Sequence, residues 1–127
     1  MKQTLIDTVT FEFGEAEVFP GYIIMVMNEG VHIVPEYNDE LKKLSDTYYQ
    51  EEPFVYITNR VNSYSVDPRI YLETSKIPNL IGFAIVSEKE IQISTAQVEQ
   101  IFLNKPMRVF DTLPQAISWT KQLLEED

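Results

Sequence analysis

The residues of this chain that could do chemistry concentrate where predicted strands end and polar loops begin. A buried strand at residues 54–57 gives way to a polar stretch at residues 58–65. In an open α/β sheet, ligands and partners meet the loops beyond the carboxyl ends of the strands. The loops after Met27 and Val86 are expected at the same edge. The residues predicted there are Asn28, Glu29 and His32; Asn59, Arg60, Asn62, Ser63 and Ser65; and Ser87, Glu88 and Lys89.

One chemistry to weigh at this edge is hydrolysis by a triad of His32, Glu29 and a serine. A nucleophilic serine needs a base in contact and an oxyanion hole. The chain lacks the Gly-x-Ser-x-Gly elbow that presents such a serine. A partly buried, structural role is therefore the favoured prediction for His32, and a small hydrolase is the least favoured function for the chain.

Arg60 and the two serines each allow two interpretations. Arg60 offers a planar fork that could bind an anion, although pairing with one of the many carboxylates is favoured. Ser63 and Ser65 are candidate phosphorylation sites, because we expect them just before a helix N-terminus that tolerates negative charge. Alternatively, these serines and Asn62 cap the turn with side-chain hydrogen bonds.

Composition excludes several classes of site. The chain has 127 residues, no cysteine and one histidine, so disulfides, thiolate nucleophiles and multi-histidine metal sites are ruled out. Its net charge of -10 argues against binding nucleic acid or an anionic membrane surface. We find no phosphate loop, cofactor motif, signal peptide or membrane-spanning run, so we expect a cytoplasmic protein without a cofactor.

The apolar pattern predicts a single α/β domain over residues 1–127. Residues 8–13 alternate as a half-buried edge strand, and Pro20-Gly21 predicts a hairpin turn. Continuous apolar runs predict strands buried on both faces. These runs, with the last strand, are Tyr22 to Met27, Phe54 to Ile57, Leu80 to Val86 and Met107 to Phe110.

Helical patterns separate these strands, which predicts a mostly parallel sheet with an N-terminal hairpin. The first helix carries Tyr37, Leu41, Leu44 and Tyr48 on one face, which leaves Tyr49 as an exposed anchor. Asp67-Pro68 is expected to cap a second helix, and Ser94 or Thr95 a third. Thr112-Leu113-Pro114-Gln115 is a capping box that opens the last helix.

The methionine pair Met25 and Met27 allows two interpretations. Methionines could line an adaptable apolar pocket. Within a buried strand they are more often plain core, so core is the favoured interpretation.

The order of elements, and the ending at residues 110–119, resemble the STAS superfamily, in particular its SpoIIAA-like branch. That resemblance implies a regulatory module that binds a partner protein. In some members it is switched by phosphorylation of a serine in an Asp-Ser-x-Gly loop before the second helix. Here residues 58–65 lack the Asp-Ser pair and the glycine, so Ser63 and Ser65 match that serine in region only.

These observations together predict a non-catalytic, cytoplasmic module that binds a protein partner. A homodimer is one arrangement left open. The alternative is a carrier of a small apolar ligand, of the kind the related CRAL-TRIO fold suggests.

Overall fold

The computed structural model describes residues 4–87 and 105–126. Their centre is a six-stranded sheet with the strand order β1-β2-β3-β5-β7-β8. The neighbours β1, β2 and β3 are antiparallel, whereas β3, β5, β7 and β8 are parallel. The strand bounds are β1 Asp7–Phe11, β2 Gly14–Phe19, β3 Tyr22–Met27, β5 Phe54–Asn59, β7 Leu80–Val86 and β8 Met107–Phe110. A separate parallel pair is formed by β4 (His32–Ile33) and β6 (Ser65–Val66).

The predicted mostly parallel α/β sheet with an N-terminal hairpin is confirmed. The strands β3, β7 and β8 have the predicted bounds, and β3 and β7 are continuous apolar runs ended by polar or turn residues. Gly21 sits in the tight turn between β2 and β3 at a φ of +81°, where a side chain would be strained. The local sequence alone therefore determines most of the sheet.

Helices cover both faces of this sheet. The helix α1 (Asn38–Leu44) lies between a 3₁₀ turn (Pro35–Tyr37) and a π-helical turn (Ser45–Tyr49). The short helix α2 covers Ile70–Thr74, and α3 covers Leu113–Glu126. The capping box of α3 forms as predicted, since the Gln115 backbone N–H donates to Thr112 Oγ1 (3.4 Å) and the Thr112 N–H donates to Gln115 Oε1 (3.3 Å).

The tyrosine pair at the end of α1 is arranged opposite to the prediction. Tyr49 is 3% exposed, and its hydroxyl donates to the carbonyls of Phe19 (2.7 Å) and Tyr22 (2.8 Å). Tyr48 is only half-buried and bonds to Asp7. The π-helical turn has i→i+5 hydrogen bonds, so it departs from the α-helical period that the prediction assumed. Tyr49 is therefore part of the core and not an exposed anchor.

The Asp67-Pro68 pair also lies differently from the prediction. The helix α2 begins at Ile70, and its N-cap is Arg69, which makes no side-chain capping bond. Asp67 instead accepts a hydrogen bond from the Arg69 backbone N–H (3.1 Å) in the turn before the helix. This bond closes an Asx turn at residues 67–69, and α2 starts directly after it.

The two faces of the sheet have different coverings. On one face α3 packs against alternate residues of β5 and β7, a cluster that includes Val55, Ile57, Ala84 and Trp119. On the other face α1 and α2 pack on a larger cluster around Phe54, Tyr56 and Phe83. The helix predicted near Ser94 and Thr95 lies outside the described residues. Within the described ranges, no helix is long and apolar enough to cross a membrane.

Candidate functional site at the carboxyl edge of the sheet

The loops that follow the parallel strands meet at one edge, as the topology predicted. The Arg60 backbone N–H donates to the Val86 carbonyl (2.9 Å), and the Ser87 N–H donates to the Phe110 carbonyl (2.9 Å). The Asn62 side-chain amide donates to the Met27 carbonyl (2.9 Å). Chain segments after four neighbouring strands are thus tied together directly. Glu88 and Lys89, predicted at the same edge, lie outside the described residues.

Residues 28–33 and 60–66 form a two-part segment across this edge, which we call the strap. The Gly30 N–H donates to the Ser63 carbonyl (2.7 Å), and the Ser65 N–H donates to the Val31 carbonyl (3.0 Å). The Glu29 carboxylate accepts a hydrogen bond from the Ser63 N–H. The strands β4 and β6 continue this pairing. Because backbone bonds hold it at several points, the strap presents one defined surface.

Asn28 anchors the base of the strap to the N-terminal hairpin. Its backbone N–H donates to the Phe13 carbonyl (2.8 Å), and its side-chain amide donates to the Glu12 carbonyl (3.0 Å). Asn28 is therefore a structural residue in this arrangement, although its side chain is exposed.

His32 is exposed on the strap and does not have the partly buried position that was predicted. Its Nδ1 lies 2.7 Å from Ser65 Oγ. Glu29 bonds to the strap backbone at Ser63, so the three groups of the considered triad are only partly brought together. In residues 4–87 and 105–126, no group of three or more His, Cys, Asp or Glu side chains is placed to hold a metal ion.

Asp67 lies beside His32, close enough for the two to interact electrostatically. Its main partner is Arg69, whose Nε donates to both carboxylate oxygens at 3.0 Å. These hydrogen bonds lower the pKa of Asp67 from 3.8 to about 2. Asp67 is therefore ionised at neutral pH and forms an ion pair with Arg69.

The two candidate phosphorylation sites are both exposed. Ser63 belongs to the strap, and Ser65 begins β6 and bonds to His32. The β6 strand and the turn at Asp67 separate them from α2, so they do not lie at a helix N-terminus as expected. The pairing of residues 65 and 66 with residues 32 and 33 accounts for the difference.

Arg60 is a charged residue of the strap, but its side chain is buried. It is 8% exposed. Its guanidinium donates to the Tyr71 hydroxyl (3.4 Å) and lies over the Tyr64 ring at 5.5 Å from the centroid. Asn59, one residue earlier, borders a groove of about 430 Å³ that Arg60, Val61 and Thr112 also line.

Beneath the strap lies a cavity of about 40 Å³. Its floor is the sheet, its walls are α1 and α2, and the strap covers it with the side chains of Ile33, Tyr64 and Val66. The remaining lining is mostly apolar and includes both Met25 and Met27, so the methionines are core residues that also line a pocket. The lining residues with polar side-chain atoms are Tyr37, Asn38, Tyr56, Thr58, Arg60, Tyr64, Tyr71 and Thr74.

Most of these polar residues were missed by the sequence reasoning. Tyr56 and Thr58 are alternate residues of β5 and share one face of it, and Arg60, just after the strand, continues the alternation. Tyr64 and Tyr71 reach the same place from the strap and from α2. The sequence does contain a signal for them, because side chains with polar atoms recur at every second position of a segment that otherwise looks apolar.

Neither a family model nor a curated protein sequence matches the chain. A solved structure does: an uncharacterised protein of the DUF3478 family, with a SpoIIAA-like fold, from Shewanella loihica PV-4. The two structures superpose with a TM-score of 0.57 at 12% sequence identity, over 94% of this chain and 96% of the other.

The chain has a SpoIIAA-like fold. This confirms the resemblance to the SpoIIAA-like branch that its element order indicated. At so low an identity the likeness concerns the fold alone. A shared fold does not determine the role of the strap or of the cavity beneath it.

Proposed function

We propose that this chain is a non-catalytic regulatory module that binds a protein partner through the outer surface of the strap. The observation that supports this most is the hydrogen-bonded pairing of residues 28–33 with residues 60–66 at the carboxyl edge of the sheet. A surface held in one shape loses little conformational freedom when a partner binds. The strap also exposes groups suited to recognition, including Glu29, His32, Ser63 and Ser65.

Val61 is the residue that makes this surface testable. It is 62% exposed near the start of the second strap segment, and it is the most exposed large apolar side chain in residues 4–87 and 105–126. Exposed apolar side chains with polar neighbours commonly carry much of the binding energy of an interface. Val61→Asp should therefore abolish capture of the partner.

The matched control is Ile6→Asp. Ile6 is 50% exposed and precedes β1, at the opposite edge of the sheet. The experiment compares the proteins cross-linked in cells to the wild type, to Val61→Asp and to Ile6→Asp. The proposal requires one partner that is lost only with Val61→Asp. A partner lost with Ile6→Asp and retained with Val61→Asp would move the interface to the other edge.

The absence of catalysis has its own test. His32 contacts Ser65, but the Glu29 carboxylate that would orient the histidine is bonded to the strap backbone. Generic esterase and phosphatase substrates should remain intact. Hydrolysis that disappears in both His32→Ala and Ser65→Ala would make this protein a hydrolase.

The cavity favours a second function, that of a carrier for a small apolar ligand. Ligand pockets usually enclose about 300–1,000 Å³, so a cavity of about 40 Å³ accommodates only a small molecule in this conformation. Native mass spectrometry of freshly purified protein tests this function. A small bound species, displaced on denaturation, is the expected result for a carrier.

A further inference from the structure

Tyr56 carries a buried hydroxyl that makes no hydrogen bond within residues 4–87 and 105–126. Tyr56 is 6% exposed and lines the cavity under the strap. In residues 4–87 and 105–126, no hydrogen bond involves its hydroxyl. That oxygen is also not one of the fully buried polar atoms without a partner, so it keeps some accessible surface. Buried tyrosine hydroxyls normally find a partner. The hydroxyl of Tyr56 therefore faces the open volume of the cavity.

Tyr49 shows how the same fold treats a tyrosine whose role is structural. It is 3% exposed, as buried as Tyr56, and its hydroxyl donates to two backbone carbonyls. The difference is one of surroundings, because Tyr49 ends against the β2–β3 turn whereas Tyr56 ends at a void. A tyrosine kept at that void has a donor to offer to something that enters it.

Other polar groups gather at the same end of the cavity. The Tyr56 hydroxyl interacts electrostatically with both Arg60 and Tyr64. Tyr64 in turn shares a hydrogen bond of 3.0 Å with Thr58. Burial raises the pKa of Tyr56, so its hydroxyl stays protonated and acts as a donor at neutral pH. This end of the cavity combines a hydroxyl donor with a nearby cation, which suits an anionic acceptor.

The rest of the cavity lining is mostly apolar and includes Met25, Met27, Ile33, Ile70 and Phe83. Two of the remaining polar side chains bond to each other, since Thr74 Oγ1 donates to Asn38 Oδ1 (2.7 Å). The cavity volume of about 40 Å³ exceeds the roughly 10–15 Å³ that a single water requires. An occupant would place an acceptor at Tyr56 and a short apolar body among the apolar side chains.

The geometry points to a binding site for a small carboxylic acid with a short apolar body, whose carboxylate accepts a hydrogen bond from Tyr56. This inference rests on the carrier function proposed above and names the class of ligand. It does not depend on whether the outer surface of the strap binds a protein. The size of the cavity sets an upper limit on the acid, so a long-chain fatty acid does not fit without movement of the strap.

Isothermal titration calorimetry with sodium butyrate at neutral pH tests the inference. Tyr56→Phe removes only the hydroxyl and should weaken butyrate binding about tenfold or more, because a hydrogen bond to a charged group is lost. Tyr22→Phe is the matched control, since Tyr22 is equally buried but belongs to the opposite face of the sheet. It should bind butyrate like the wild type. Octanoate should bind more weakly than butyrate.

A second variant and an apolar probe separate the ways in which this can fail. Met27→Phe fills the cavity without altering its polar end and should abolish butyrate binding. Undiminished binding to Met27→Phe, or equal binding to Tyr56→Phe, would overturn the site. Benzene that binds the wild type and Tyr56→Phe alike, without any binding of butyrate, would leave the carrier function standing and refute the acid. If neither butyrate nor benzene binds, the cavity holds water only, and both the carboxylic-acid site and the carrier function are refuted.

Discussion

The two faces of the central sheet are built from the same strands but packed in different ways. On β5, Val55 and Ile57 point to α3 and are completely buried. The residues between and after them, Tyr56, Thr58 and Arg60, point to the other face and line a cavity. On β5, the buried side chains of the α3 face are all aliphatic, whereas the other face carries polar side chains beside unfilled volume.

Close packing on the α3 face is visible at Gly82. A Cβ atom added there would lie 2.6 Å from Leu123 Cδ1 and 3.2 Å from the Trp119 ring. Space for even one carbon is therefore lacking on that face, whereas about 40 Å³ is open on the other. Evolved interiors are normally packed without such voids. The comparison indicates that the α3 face is packed more tightly than the cavity face.

The largest effect should come from removing the centre of the α3 face. Trp119 is 8% exposed and packs on Phe110 with ring centroids 5.6 Å apart. Trp119→Ala should lower the free energy of unfolding by about 3–5 kcal/mol, because transfer energy is lost and a cavity is left. Urea denaturation followed by circular dichroism measures this loss.

Ser118→Ala is the control, at an exposed position of the same helix. Its effect should stay within about 0.5 kcal/mol. A loss below about 1 kcal/mol for Trp119→Ala would mean that α3 contributes little to stability, and the contrast between the faces would disappear.

A matched pair of enlargements compares the packing of the two faces directly. Val55→Ile and Val66→Ile each add one methylene, the first on the completely buried α3 face and the second beside the cavity. Val55→Ile should destabilise the protein by about 1–3 kcal/mol, because a packed core must distort to admit it. Val66→Ile should change stability by less than about 0.5 kcal/mol, since it extends beside open volume.

Thermal and urea unfolding of the two variants, measured side by side, gives the difference. Equal costs would show that the cavity face is as tightly packed as the other. That result would also weaken the case for a ligand beneath the strap.

The smallest expected effect concerns pH and the end of the strap. The pKa of Asp67 is about 2 in the folded protein, below its ordinary value of 3.8, mainly because Arg69 donates hydrogen bonds to it. A group with a lowered pKa in the folded state stabilises it above its ordinary pKa, and this contribution is lost as the pH falls through about 2. Stability should therefore decrease between about pH 4 and pH 2, and less so in Asp67→Asn.

The control for Asp67 is Asp111→Asn, at an exposed aspartate outside the strap. It should keep the acid sensitivity of the wild type in urea denaturation at a series of pH values. An unchanged acid profile in Asp67→Asn would show that the Asp67–Arg69 pair does not stabilise the fold, as is common for exposed ion pairs.

Sequence reasoning succeeded where a feature depends on a few neighbouring residues. The bounds of β3 and β7 follow from continuous apolar runs, and the start of α3 follows from the hydrogen bonds of its own capping box. It failed at Tyr49, where a π-helical turn replaced the expected period. The π-helical turn is a local feature, but no residue pattern in the sequence predicts it.

The candidate site divides in the same way. That Asn59, Arg60, Asn62 and Ser63 lie at the carboxyl edge followed from the alternation of strands and helices. That Arg60 turns inward, and that Ser65 contacts His32, depends on pairing between segments 33 residues apart in the chain. Such pairing is set by how the whole sheet positions its loops, not by local preference.

The sequence alone determined the α/β class, the order of the elements and the edge at which the polar loops gather, because these follow from hydrophobic period and turn chemistry. Only the tertiary structure decided that a cavity exists beneath the strap. Tyr56 and Val55 are neighbours in one apolar run, and nothing local distinguishes a side chain against α3 from one that faces open volume. The distances at which α1, α2 and the strap settle over the sheet make that distinction, and they are fixed by the packing of the whole molecule.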